Sequence, residues 1–233
     1  MHENILAVIP ARGGSKTIPR KNLQLISAYP LFVYSIRHAR KLGIPNSNII
    51  VSSDDDEILE VAEQYKACPH RRPENISGDD SPTEACLINA WESHQRCDTV
   101  LTLQPTSPIR HTLKEFVKTY FEGDFDSGLT TTKFYNFFWH KADWIGVDLW
   151  SATYDYKNRL MRQTMDPSDF MYFDNGNAYL SNAEMLAETK CRLGTKVHVF
   201  SIAEIEGMQI DTCEDLETFR NIKEEYFFRG GKI

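Results

Sequence analysis

Apolar residues recur along the first two-thirds of the chain in two alternating rhythms. Ile5-Leu6-Ala7-Val8-Ile9 is an unbroken apolar run of the kind a strand shows when both of its faces are covered. A helical pattern follows from Pro30 to about Lys41, then a second strand over Asn48–Ser52. Asp54 stands where it can cap a helix carrying Ile58, Leu59, Val61 and Ala62. Ser81-Pro82-Thr83-Glu84 has the spacing of a capping box with a proline at the first helical position. Thr99–Leu103 reads as a third strand, and Thr112-Leu113-Lys114-Glu115 repeats the capping-box spacing ahead of Phe116, Val117 and Tyr120. Ser127–Thr132 is β-rich again. Strands that alternate with helices and show no polar face predict an α/β fold: a Rossmann-like, mostly parallel sheet flanked by helices.

From about Phe134 to Phe173 this rhythm stops. The segment is aromatic, with Phe134, Phe137, Phe138, Trp139, Trp144, Trp150 and Tyr154, and holds no long amphipathic helix. It reads as an inserted β-type arm at 134–173 between two parts of one α/β domain, 1–133 and 174–233. So many large aromatics suit a buried contact better than a solvated loop, and a homodimer interface accounts for them. Regular structure resumes with a strand at Asn177–Leu180, a helix from Ala183, a strand at Val197–Ser201 and a last helix over about Glu214–Tyr226.

Charge sharpens the picture. The chain carries a net charge of −7, which argues against general nucleic-acid binding, yet seven bases precede Asp54 against the single acid Glu3. Arg37, Arg40 and Lys41 suit a solvated helix face. Arg12, Lys16, Arg20 and Lys21 instead crowd around Gly13-Gly14, which favours a small anionic ligand over a polyanion. No window approaches the ~20 apolar residues of a membrane span. Five scattered cysteines without a C-x-x-C arrangement point to a reducing cytoplasm, and the histidines show no metal-ligand spacing.

In an open parallel sheet, ligands bind beyond the carboxyl ends of the strands. The loop after Ile5–Ile9 is therefore where chemistry is expected. A P-loop is excluded, because Ser15 and Pro10 occupy its two glycine positions and Ile18-Pro19 blocks an immediate helix. No G-x-G-x-x-G is present either. A long basic loop that wraps phosphates remains, with a merely basic turn as the alternative.

Here the sequence closely resembles a known signature. Ile9-Pro10-Ala11-Arg12-Gly13-Gly14-Ser15-Lys16, followed by Lys21-Asn22, resembles that of the acylneuraminate cytidylyltransferases, the CMP-sialic acid synthetases. So do Arg72-Pro73-Glu74 with Asp79, Gln104-Pro105-Thr106-Ser107-Pro108-Ile109-Arg110, Asn175-Gly176 with Ala178-Tyr179, and Ile210-Asp211 before Glu214-Asp215-Leu216. The resemblance spans about Ile5 to Phe219 and is weakest across the aromatic insert. It implies an enzyme that transfers CMP from CTP to the anomeric hydroxyl of an acidic nine-carbon sugar and releases pyrophosphate. The synthetase for the eight-carbon acid Kdo usually carries Ser-x-Arg in this loop, so the Gly-Ser-Lys here, together with the Gln104–Arg110 motif, favours the nine-carbon branch.

The same resemblance implies the roles. Ala11, Arg12, Gly13, Gly14, Ser15, Lys16, Lys21, Asn22, Arg72 and Thr83 would form the nucleotide site, with Arg12 and Lys21 on the triphosphate and Asn22 and Arg72 reading cytosine. Gln104 and Arg110 would face the sugar or shape its pocket, and Asn175 and Tyr179 would line the acceptor side. Lys133, Lys141, Arg159 or Arg162 could reach a sugar carboxylate across a dimer. Asp211 would be catalytic as the ligand of Mg²⁺, with Mn²⁺ as the alternative ion. Where the family has a second aspartate, this chain has Gln209, a departure that leaves a nucleotide-binding protein without turnover as a second reading. Read without the resemblance, Asp211 is better taken as a cap for the last helix, Asn175-Gly176 as a turn and Asp54-Asp55-Asp56 as the acids of a helix start, while Gln104 and Thr106 suit a proline-rich turn as well as a site.

Overall fold

The computed structural model describes residues 4–94, 97–134, 137–144, 147–166 and 170–228; the side chains of 142–144, 147–149 and 162 lie outside that description. The first apolar run forms β1 (Ile5–Pro10), which pairs in parallel with β4 (Ile49–Ser53) on one side and β6 (Thr99–Leu103) on the other. Its alternate residues divide the core. Ile5, Ala7 and Ile9 pack with Phe32 and with residues of α1 (Val33–Lys41), α2 (Asp56–Gln64) and α4 (Leu113–Glu122). Leu6 and Val8 point the other way, onto α3 (Thr83–His94) and α5 (Ala183–Thr189). A strand covered on both faces has no room for polar side chains, which is why the run is uninterrupted.

Beyond β4 lies β5 (Cys68–Arg71), and beyond β6 come β10 (Met171–Asn182), β7 (Ser127–Phe134) and β11 (Val197–Ile202). β10 runs antiparallel to both of its neighbours, and every other pairing in this seven-stranded sheet is parallel. β10 is far longer than the Asn177–Leu180 strand read from sequence. Its first residues pair with the end of β7 (Met171 opposite Phe134), and from this ribbon the aromatic segment departs. Within that segment β8 (Trp139–Trp144) and β9 (Val147–Ala152) make a two-stranded antiparallel sheet.

Several local expectations need correction. The stretch from Pro30 is not helical at once: β2 (Leu25–Ile26) and β3 (Tyr29–Pro30) form a small hairpin, turned at Ser27 with φ 50°, and α1 starts only at Val33. Asp55, not Asp54, caps α2 by accepting from Ile58 N at 3.1 Å. Thr112 precedes α4 without making a capping box, because its amide and hydroxyl both donate to the buried Glu206 carboxylate at 2.9 Å. Glu206 belongs to α6 (Glu204–Gly207). The last helix is two, α7 (Cys213–Arg220) and α8 (Glu224–Phe227).

A third apolar cluster positions the site. Ile18 and Ile26, on either side of the basic loop's end, pack with Ile210, Leu216 and Phe219. The amino-terminal loop and the start of α7, distant in sequence, are thereby held against each other.

One buried group ties stability to pH. His38 of α1 is enclosed, with Nε2 2.9 Å from the Pro108 carbonyl. Burial first, then the nearby Arg110 charge, lowers its pKa to about 3. The unfolded chain takes up this proton below about pH 6.5, the folded chain not until about 3, so stability drains as pH falls through that window by up to ~1.4 kcal/mol per unit. His38→Gln is expected to flatten the pH dependence of urea unfolding there; an unchanged slope would show that other groups dominate.

Candidate functional site

The carboxyl ends of β1, β5 and β6 open onto a cleft of about 290 Å³. Ala11 N continues the β1–β4 ladder by one residue, donating to the Ser52 carbonyl at 3.0 Å, and the chain then leaves as the basic loop. Asn22, nearly enclosed, closes that loop by donating its amide to the Arg12 carbonyl at 2.8 Å. Gly13 is required by packing: its N donates to Asp54 Oδ1 at 2.9 Å, and a Cβ there would fall 2.7 Å from that of Asp55. A Cβ on Gly14 would meet nothing within 4 Å, so this part of the loop leaves space above its backbone.

Arg12, Lys21 and Asn22 line the cleft from the loop; Arg72 and Thr83 line it from the β5 and α3 side; Gln104 and Thr106 line it beyond β6. Arg72 is buried and fixed by two donations to Ser52, from Nη2 to the carbonyl at 2.8 Å and from Nε to the hydroxyl at 3.4 Å. Lys16 reaches the same rim from a solvent-exposed position, and Ser15 is half-buried on the loop.

Two acids organise these cations. Asp79 accepts from Arg12 Nη1 and Lys16 Nζ, both at 2.7 Å, and these hydrogen bonds, that of Lys16 foremost, hold its carboxyl below the usual carboxylate range. Asp211 accepts from Lys21 Nζ at 2.9 Å, while the same ammonium donates to the Ile210 carbonyl at 3.1 Å. Asp211 does not cap α7. Thr212 does, in a capping box with Asp215, and this leaves the Asp211 side chain 60% exposed beside Lys21.

Other residues read from sequence lie elsewhere. Arg110 does not line the cleft: its guanidinium is buried behind Gln104, whose carbonyl it holds at 2.5 Å. Asn175 is fully buried and engaged by Thr130, Thr132 and Asn177 N. Tyr179 is tucked under the sheet with its hydroxyl on Asp174 Oδ1 at 2.7 Å, and burial, reinforced by Asp174, pushes its phenol pKa up. Asn175-Gly176 is neither a hairpin turn nor an open loop but a bulge in β10, with Gly176 at φ 66°. Gln209 packs on that glycine and donates to the Asn175 carbonyl. Each of Asp54, Asp55 and Asp56 has a helix-start or ion-pair partner: Gly13 N, Ile58 N with Arg20, and Arg71. At the end of β7, Lys133 lies over the ring of Phe170 at 3.4 Å, and in the arm Arg159 lies over that of Phe137 at 4.1 Å; the side chain of Arg162 is outside the described residues.

Sequence reasoning missed the two ion pairs of Asp79 and the anchoring of Arg72 by Ser52. Complementary charge was the only available signal for the first, and it names no partner across 67 positions.

Arg12, Lys21 and Arg72 lining the cleft, Lys16 at its rim, and the exposed carboxylates of Asp79 and Asp211 beside them suit a polyphosphate at strand ends. The family model for cytidylyltransferases matches residues 6–226. The chain belongs to the cytidylyltransferase family. It is 32% identical over 222 residues to the pseudaminic acid cytidylyltransferase of Campylobacter jejuni, covering 91% of this chain and 93% of that one. It is 41% identical over 111 residues to the CMP-N,N'-diacetyllegionaminic acid synthase of Legionella pneumophila, covering 46% of this chain and 47% of the other. Among solved structures, a CMP:2-keto-3-deoxy-manno-octonic acid synthetase complexed with CTP superposes with a TM-score of 0.68 at 15% identity, over 93% of this chain and 96% of that one. That likeness extends the family assignment to the fold. Among the described residues, no helix is long and apolar enough to cross a membrane.

Proposed function

We propose that this cytidylyltransferase transfers CMP from CTP to the anomeric hydroxyl of an acidic nine-carbon sugar of the sialic-acid type. The observation that carries the reading is the convergence of Arg12 and Lys21 on one cleft, with Asp211 paired to Lys21 beside it. In the reaction the sugar hydroxyl loses its proton to solvent as its oxygen forms a bond to the α-phosphorus, the bond to the bridging β-phosphate oxygen breaks, and pyrophosphate leaves with the electron pair. The chain's work is alignment and neutralisation of charge. Arg12 and Lys21, with Lys16 assisting, hold the triphosphate over the Gly13-Gly14 backbone. Asn22, Arg72 and Thr83 take the nucleoside end, and Gln104 faces the sugar with Arg110 fixing its main chain.

The residues present fit Mg²⁺. Asp211 offers one exposed carboxylate of which Lys21 takes Oδ1, and Mg²⁺ binds through one or two carboxylates with phosphate oxygens and waters. Asp211 would hold the ion, and Mn²⁺ could replace it. When bound, Mg²⁺ supplies charge neutralisation at the α-phosphate and favours the ionised hydroxyl. Gln209, turned onto Asn175, contributes no charge.

Exposed Phe138, Trp139, Trp150 and Tyr156 on the arm support a homodimer formed through it. Sedimentation is expected to give the mass of two chains; a single-chain mass at micromolar concentration would exclude the dimer. The free cysteines support a reducing cytoplasm as the enzyme's compartment.

The deciding assay is pyrophosphate release with CTP, Mg²⁺ and a panel of pseudaminic, legionaminic, neuraminic and deaminated acids, with Kdo as control. The 32% relative makes pseudaminic acid the first to try. Turnover is expected with a nine-carbon acid in preference to Kdo. CTP binding in a calorimeter with no release from any acid would instead establish the nucleotide-binding reading that Gln209 raises.

A further inference from the structure

Away from the cleft, a cavity of about 190 Å³ lies between the carboxyl end of α1 and the start of α4. Arg110, Lys41, Lys114, His38 and His111 line it, together with two leucines; none of these lining residues is an acid. The influence of Arg110, Lys41 and His111 on His38 shows that these groups share one field. Lys114 is the second residue of α4, so the positive end of a ten-residue helix adds to it, offset in part by Glu206, which accepts from Thr112 just before the helix.

Arg110 is the unusual member. It is 4% exposed, with Nη1 donating to Ser35 Oγ at 3.2 Å and Nη2 to the carbonyls of Gln104 and Asn177 at 2.5 and 3.1 Å. Its Nε is a buried nitrogen without a hydrogen-bond partner among the described residues. Glu206 opposes the effect of burial on this guanidinium, but its carboxylate already accepts from Thr112, and Arg110 stays cationic at neutral pH with a pKa of about 9. A buried charged N–H without an acceptor is costly, and native proteins seldom leave one so. Lys41 gives one hydrogen bond to the Phe228 carbonyl, and an ammonium has three donors.

We propose that this cavity binds a small inorganic oxyanion of the phosphate class, orthophosphate or pyrophosphate, taken by Arg110, Lys41 and Lys114. The same guanidinium holds the main chain of Gln104, so an anion here bears on the sugar side of the cleft. The site stands whichever acid is the acceptor.

The test is calorimetric titration with orthophosphate, and separately with pyrophosphate, at constant ionic strength in chloride. In an Arg12→Ala/Lys21→Ala background, which takes away the cleft's two principal phosphate-holding cations, one anion per chain is expected to bind. Adding Lys41→Ala/Lys114→Ala, both on exposed side chains, is expected to weaken that binding by about tenfold or more. Tighter binding of pyrophosphate would identify the occupant as the reaction's own product, and tighter binding of orthophosphate an independent ion. Loss of all binding on removal of Arg12 and Lys21, or no effect of the lysine pair, would overturn the proposal. Neither result touches the cytidylyltransferase reading, which rests on turnover in the wild-type chain.

Discussion

Replacing Lys21 with alanine is expected to lower turnover with CTP by about 10²–10³-fold, the range seen when one preorganised donor to a developing charge is removed. Lys21 is the least exposed cation of the loop, at 17%, and its ammonium is aimed by Asp211 and the Ile210 carbonyl before any substrate arrives. Charges in such a half-dry setting interact more strongly than at the surface, and salt screens them less. Arg12 is more exposed and already shared with Asp79, so Arg12→Ala is expected to cost less, though still more than about tenfold. The kinetic split tells the role apart. If Lys21 only helps CTP dock, KM rises with kcat unchanged; if it stabilises the charge that develops on the phosphates, kcat falls as well. A fall in kcat with an unaltered thermal unfolding midpoint is the expected result. Unchanged rates in both variants would remove the loop from the reaction.

The loop was legible because its requirements are local. The bases must be close in sequence to crowd one backbone stretch, and β1 must be apolar throughout to sit between β4 and β6. The features that escaped are those settled by contacts between distant segments. Thr112 has the right spacing to cap its own helix, yet Glu206, 94 residues on, offers a buried carboxylate that takes both of its donors. Asn175 and Tyr179 carry polar groups of the kind that meet a sugar, but the bulge in β10 turns both inward, where the sheet's own hydroxyls and Asp174 satisfy them. The two-residue strands of the β2–β3 hairpin are too short for periodicity to register. Asp211 is the instructive case. Sequence alone favours a helix cap, and only the presence of Thr212 one residue later, with Asp215 completing its box, frees the aspartate to face Lys21.

Asp211 also gives the second large effect. Asp211→Asn keeps the shape and removes the charge, and turnover at about millimolar Mg²⁺ is expected to drop by about 10²-fold. Two roles have to be separated, because the carboxylate both pairs with Lys21 and is the proposed metal ligand. Were pairing its only role, the variant would leave Lys21 more available to phosphate: metal-free CTP would bind at least as well, and the Mg²⁺ concentration for half-maximal rate would not move. As a ligand, its loss raises that concentration and blunts the response to Mn²⁺ as well. The second outcome is expected. Gln209→Asp supplies the contrast, since it restores a formal charge two residues away. Gln209 donates to the Asn175 carbonyl over Gly176, and an aspartate there would set carboxylate oxygen against carbonyl oxygen. That substitution is expected to reduce stability without lowering the Mg²⁺ requirement. A lower requirement with higher turnover would mean that position 209 turns to the metal after all, and that the site works with two carboxylates better than with one.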